Sequence, residues 1–127
     1  MIVGGRIDEV TGKKNSEEAI KGLNIDIMLE DVKVDGENVE IKYKYTARYE
    51  DDVGEIAIRG LLATKEEKGF AKEIASEWKA KKKVPEAFAE TILNAINYSG
   101  SANGTLIARV VNLSPPLVPP RISLQKK

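Results

Sequence analysis

The chain has no cysteine and no histidine. The first absence removes disulfides, thiolate nucleophiles and zinc–thiolate sites; the second removes the commonest general base and the commonest transition-metal ligand. Much of the usual catalytic inventory is missing, and the expectation is a protein that is not an enzyme and holds neither cofactor nor metal. Excess charge of one sign is missing as well. Twenty Lys and Arg balance 20 Asp and Glu, so no summed field steers the chain toward nucleic acid or an anionic membrane. No apolar run reaches the roughly 18 residues that read as a membrane helix, and "MIVGGRIDEV" has neither the basic start nor the apolar stretch of a signal peptide. The expected setting is cytoplasmic, without nucleic acid and without membrane insertion. Gly4 and Gly5 stand too isolated to form a phosphate-cradling loop. The densest carboxylate cluster, "YEDD" at Tyr49 to Asp52, is the one candidate for acid–base or Mg2+/Ca2+ chemistry. Consecutive carboxylates in a hairpin turn do not all point at one centre, so the cluster reads as a solvated turn.

What is present fits one domain around one core in 127 residues. A charged fraction of 31%, rich in Lys and Glu, is compatible with a heat-adapted source. The clearest element is "VEIKYKYTARY", Val39 to Tyr49, where apolar and polar residues alternate strictly, as in a half-buried strand. Upstream, "NIDIMLEDVKV" alternates through Ile25, Ile27 and Leu29 and then changes phase to Val32 and Val34, which requires a bulge near Glu30 and Asp31. "DGEN" supplies a tight turn between the two. After the polar "EDDVG", the run "EIAIRGLLAT" gives a further strand interrupted by Gly60, and "IVGGRIDEVTG" gives an edge strand at the start. A four-stranded antiparallel meander over residues 1–64 is the expected first part of an α+β fold.

The pattern changes at Thr64. Thr64 and Glu67 have capping-box spacing, and Phe70, Ala71, Ile74, Ala75 and Trp78 then share one helical face, predicting a helix from about Lys65 to Lys82. Its basic end, Lys79 and Lys81 to Lys83, reads as a solvated helix terminus. Pro85 suits the first position of a second helix with Phe88, Ile92, Leu93 and Ile96 as its stripe. "SGSANG", Ser99 to Gly104, looks like a loop by propensity, yet Ile107, Val110 and Val111 resume the stripe in phase, favouring a helix that runs through. Gly100, Gly104 and Ala108 then form a small-residue strip that admits close approach of another backbone. The helical part is expected over residues 65–112, with both helices packed on one face of the sheet.

Residues 113–127 hold four of the five prolines. Pro115–Pro116 and Pro119–Pro120 fix polyproline-like dihedrals, while Leu113, Leu117, Val118, Ile122 and Leu124 make the segment apolar. A stiff apolar strap implies docking, on its own subunit, on a neighbouring one, or as a PxxP ligand.

This order of elements resembles the SecB-like chaperone family, in particular archaeal relatives of the bacterial preprotein export chaperone SecB. The residues that carry the likeness are "YEDDVGEIAIRGLL", "EWKAKKKVPEAFAETILNAI" and "LSPPLVPPRISL". The resemblance implies an ATP-independent holdase that forms a homo-oligomer, a dimer or tetramer, and binds unfolded polypeptides or preproteins in apolar grooves. The alternative is an oligomeric adaptor of the same fold dedicated to one partner. Under this resemblance Tyr43, Tyr45, Tyr49, Phe70 and Trp78 are candidates for the polypeptide-binding groove, although the same residues serve equally as ordinary core. Gly100, Gly104, Ala108, Leu117 and Val118 are candidates for oligomer or helix packing.

Overall fold

The alternating run Val39 to Tyr49 becomes β3 (Asn38–Tyr49), an inner strand whose odd-numbered residues are all buried. It lies between β2 (Leu23–Asp35) and β4 (Gly54–Lys65), and β1 (Ile2–Lys14) lies beyond β4. The computed structural model describes residues 1–116. After β4 come α1 (Lys68–Lys81) and α2 (Glu86–Val110). Tyr43, Tyr45, Ala47 and Tyr49 of β3 pack with Ile56 and Ile58 of β4 and with Ile96 and Ala108 of α2. Val39 and Ile41 of β3 pack with Val32 of β2 and with Ala71, Ile74 and Trp78 of α1. Both helices therefore cover the same face, and the expected α+β class is observed.

Two devices in β2 and β3 follow the sequence closely. Asp35 pairs with Asn38, and Gly36 takes the positive φ of 63° at the first central position of the turn, a conformation that costs glycine least. The register shifts between Leu29 and Asp31. That bulge turns Val32 and Val34 onto the helix-covered face already used by Ile25, Ile27 and Leu29.

The meander covers β2, β3 and β4 only. β1 does not continue it but pairs with β4 at the opposite edge, in the order β1–β4–β3–β2. The physical reason is a connection pinned across the end of the sheet. The amides of Asn15 and Ser16 donate to the Val53 carbonyl at 2.8 and 3.3 Å, and the Glu50 amide donates to the Gly22 carbonyl at 2.9 Å. The chain thus leaves β1, passes the β3–β4 turn and enters the sheet again at its far side. Two local expectations also change. β4 runs unbroken through Gly60, whose missing side chain leaves room for the Arg6 carbonyl and the Tyr43 hydroxyl, 2.4 and 2.7 Å from where a Cβ would stand. Thr64 is a buried strand residue and caps nothing; α1 starts later, behind Glu67, without a side-chain cap.

The second helix runs through Ser99 to Gly104 without a break for 25 residues, about 38 Å at 1.5 Å per residue. Its glycines cost helix propensity, and close packing offsets that cost. A Cβ on Gly100 would stand 2.3 Å from the Tyr45 ring, and one on Gly104 would stand 2.8 Å from Pro116. The small-residue strip therefore faces the chain's own sheet and its own C-terminal segment. That segment begins by folding back: the Leu113 amide donates to the Ala108 carbonyl at 2.8 Å, the Tyr49 hydroxyl donates to the Ser114 carbonyl, and Leu113 and Pro116 are buried. Leu117, Val118 and the rest of the expected strap lie outside the described residues.

Burial of the tyrosines has a consequence at high pH. Tyr49 is pushed up to about 12, chiefly by desolvation and then by the neighbouring Tyr45, and Tyr43 and Tyr45 are raised by desolvation as well. Each holds its proton more tightly in the folded state than an unfolded tyrosine does near pH 10. The stabilisation is complete below about pH 10 and is lost as pH rises through about 12. Urea midpoints measured across that window should fall, and the fall should be shallower in Tyr49→Phe; an identical slope in both would remove Tyr49 from the account.

Candidate functional site

Among the described residues, β2 is hydrogen-bonded on one side only. Because the Glu50 amide donates to the Gly22 carbonyl, Gly22 and Glu50 form a hydrogen-bonded pair, and the antiparallel alternation then runs along the strand. Asn24, Asp26 and Met28 direct both backbone groups at β3, whereas Leu23, Ile25, Ile27 and Leu29 direct theirs outward, away from the sheet. Above the bulge, α1 covers this end of the sheet through its contacts with Val32. Below the bulge, the strand edge borders an open groove of about 790 Å³. Ile27, Met28, Leu29, Val84 and Ala89 supply its apolar lining, and the α1–α2 junction with its flanking turns supplies charge.

The junction is shaped by three residues. Lys82 adopts a left-handed conformation, φ 55°, and its amide closes α1 on the Trp78 carbonyl at 2.9 Å. Its ammonium group lies 5.3 Å from the centre of the Trp78 ring, a cation–π contact. Pro85 is extended, φ −53° and ψ 142°, and α2 begins on its far side. The chain therefore reverses beside β2 and holds Val84, 9% exposed, against the floor of the groove. An open strand edge beside an apolar floor can accept one further extended chain, with main-chain hydrogen bonds giving affinity and alternate side chains entering the groove.

The aromatics read from the sequence as groove candidates sit elsewhere. Tyr43, Tyr45, Tyr49 and Trp78 are buried between sheet and helices, and Phe70 is half-buried with its ring edge-on to Phe88 at 5.9 Å. None of the five lines the groove beside β2; Tyr43 borders a separate cavity of about 220 Å³ between β1, β4 and α2. Alternation shows that these residues share a face, and here the helices cover that face. Alternation alone does not single out the residues that do line the groove. Their signal was the phase change at Glu30 and Asp31, which separates the open part of β2 from the covered part, together with the lysine run beside Val84.

The acidic turn does not converge. Asp51 pairs with Lys21 at 3.3 Å, Asp52 accepts from the Asn15 amide group at 3.2 Å, and Glu50 lies beside Gly22. A second apolar surface lies on α2, where Tyr98, Leu106 and Val110 are 70%, 62% and 84% exposed. They recur at the spacing of one helical face, opposite the buried Gly100, Gly104 and Ala108. Among the described residues, no helix is long and apolar enough to cross a membrane.

No protein-family model matches the sequence, and no curated protein matches it. Among solved structures, the chain is similar to the SecB-like chaperone of Mycobacterium tuberculosis, determined in complex with a ChAD peptide from an antitoxin. The two share 16% identity over 99% of this chain and 92% of that one, with a TM-score of 0.63. Four antiparallel strands followed by two helices on one face, in this order and over this length, are the SecB-like fold.

Proposed function

We propose that the protein is an ATP-independent holdase that binds unfolded polypeptides or preproteins, and that it belongs with the archaeal branch its helix-junction and tail segments resemble. The observation that carries the reading is the open lower edge of β2, with the outward backbone of Ile27 and Leu29 beside an apolar groove. The fold adds support, since the similar mycobacterial chaperone was determined with a peptide bound. The protein works without catalysis and without a cofactor, in the cytoplasm. It acts as a homo-oligomer, dimer or tetramer, because the outer stripe of α2 leaves Tyr98, Leu106 and Val110 in water unless another subunit covers them. An adaptor dedicated to one partner is the second reading, favoured by the identity of the peptide in the mycobacterial complex.

Aggregation assays separate the two. The purified protein should run above its monomer mass and should suppress light scattering of several unrelated unfolded proteins without ATP. Protection of a single protein among many would favour the adaptor; a monomer that protects none would remove the chaperone reading.

A further inference from the structure

The groove beside β2 is not electrically neutral in its layout. Lys81, Lys82 and Lys83 line it together with Glu77 and Glu86, three positive charges against two negative ones. Among the described residues, none of the ion pairs uses Lys81, Lys82 or Lys83. The three lysines are exposed, and the left-handed turn at Lys82 sets them in succession beside the outward backbone of Ile27 and Leu29. Lys82 rests on Trp78, which fixes the reversal without neutralising its charge.

We propose that this groove selects extended segments in which apolar residues alternate with carboxylates, and that the Lys81–Lys83 rim reads the carboxylates. The proposal rests on the polypeptide-binding reading and names its preferred ligand. A strand added to β2 presents alternate side chains to the groove and to the opposite side. Its apolar set lies on Ile27, Leu29, Val84 and Ala89, and acidic residues flanking that set come within reach of flexible lysine side chains. Charge of the right sign raises the encounter rate and the discrimination between ligands more than the ultimate affinity. The chain itself ends in Lys126 and Lys127, of the same sign as the Lys81–Lys83 rim, so charge complementarity argues for a foreign segment over the chain's own end.

The test uses the full chain and three fluorescein-labelled peptides of about ten residues, each with Val and Leu at alternate positions and with Glu, Ser or Lys between them. Anisotropy titrations at low ionic strength should give an affinity for the Glu peptide about tenfold above that for the Lys peptide, with the Ser peptide between. The gap should close in about 0.5 M salt. In the Lys81→Gln/Lys83→Gln variant, which spares the Lys82–Trp78 contact, the Glu peptide should lose its advantage over the Lys peptide. Equal binding of all three peptides to the parent protein, or a preference for the Lys peptide, overturns the charge selection while leaving polypeptide binding intact. Failure of all three to bind removes the groove reading itself. Displacement of the Glu peptide by a synthetic copy of residues 117–127, at lower concentration than by the Ser peptide, overturns the choice of a foreign segment.

Discussion

Replacing Gly100 with valine should lower the stability of the protein by about 3 kcal/mol or more, read as a fall in the urea midpoint at unchanged m-value. The Tyr45 ring, 0% exposed, lies directly over Gly100, with Cδ2 and Cε2 2.3 and 2.5 Å from the position of an added Cβ. The ring has no solvent to move into. It is held from below by its strand, where Tyr45 stands opposite Ile58 on β4 and Ile27 on β2. The only relief is for α2 to lift from the sheet, which loosens Ile96 and Ala108 in the same core. Alanine makes a stricter test. Gly→Ala in a helix interior contributes about 1 kcal/mol of propensity, so a Gly100→Ala protein that is less stable than the parent demonstrates a steric cost larger than that gain. A more stable one would mean that the ring and the helix are not in contact at this point.

Leu113→Ala should cost about 2–4 kcal/mol. Leu113 is 7% exposed and packs in the cluster that includes Tyr49, Val53 and Ala108. Its side chain fills the space that glycine leaves at position 54, where an added Cβ would stand 2.9 Å from both methyl groups. Truncation leaves a cavity at the end of the sheet and frees the root of the proline-rich segment from α2. Tyr49→Phe, which removes the hydroxyl that donates to the Ser114 carbonyl, should cost about 1 kcal/mol. The two sites touch one segment, so their effects should not add. A double-mutant cycle with a coupling near zero would separate Leu113 from the hydrogen bond; a loss below about 0.5 kcal/mol for Leu113→Ala alone would show that the segment does not hold the core.

Much of the fold was legible in the residues, and the reason differs from element to element. β3 and the bulge of β2 were readable because a period of two leaves little freedom once one face is buried. The continuity of α2 was readable because the stripe stays in phase across Ser99 to Gly104, although propensity pointed the other way. Packing of Gly100 on Tyr45 decided that contest, and no local property of "SGSANG" records it. The place of β1 was not readable. Its alternation says only that it is a strand, and its place beside β4 is held by hydrogen bonds from Asn15 and Ser16 to Val53, just past the Lys14–Gly54 pair. Thr64 misled for a related reason: the capping-box spacing is genuine, but β4 continues through Thr64 to Lys65 and claims the residue first. As for the groove, Tyr43 and Ile27 carry similar alternation signals, and whether such a residue ends beneath a helix or on an open edge depends on where α1 stops, at the Lys82 reversal.

The strand order also bears on how the molecule comes into being. β2, β3 and β4 are joined by short connections and can pair as soon as they exist, but Ile2 must wait for Thr64 and Lys14 for Gly54. Closing that long loop comes late, after the entropy of the rest of the sheet has been spent. During synthesis β1 is made before its partner β4 and is the last of the four strands to be joined, and its apolar residues Ile2, Val3, Ile7 and Val10 remain available to other chains throughout the interval. A newborn copy is therefore, for a time, just the kind of unpaired chain that its finished neighbours are proposed to hold.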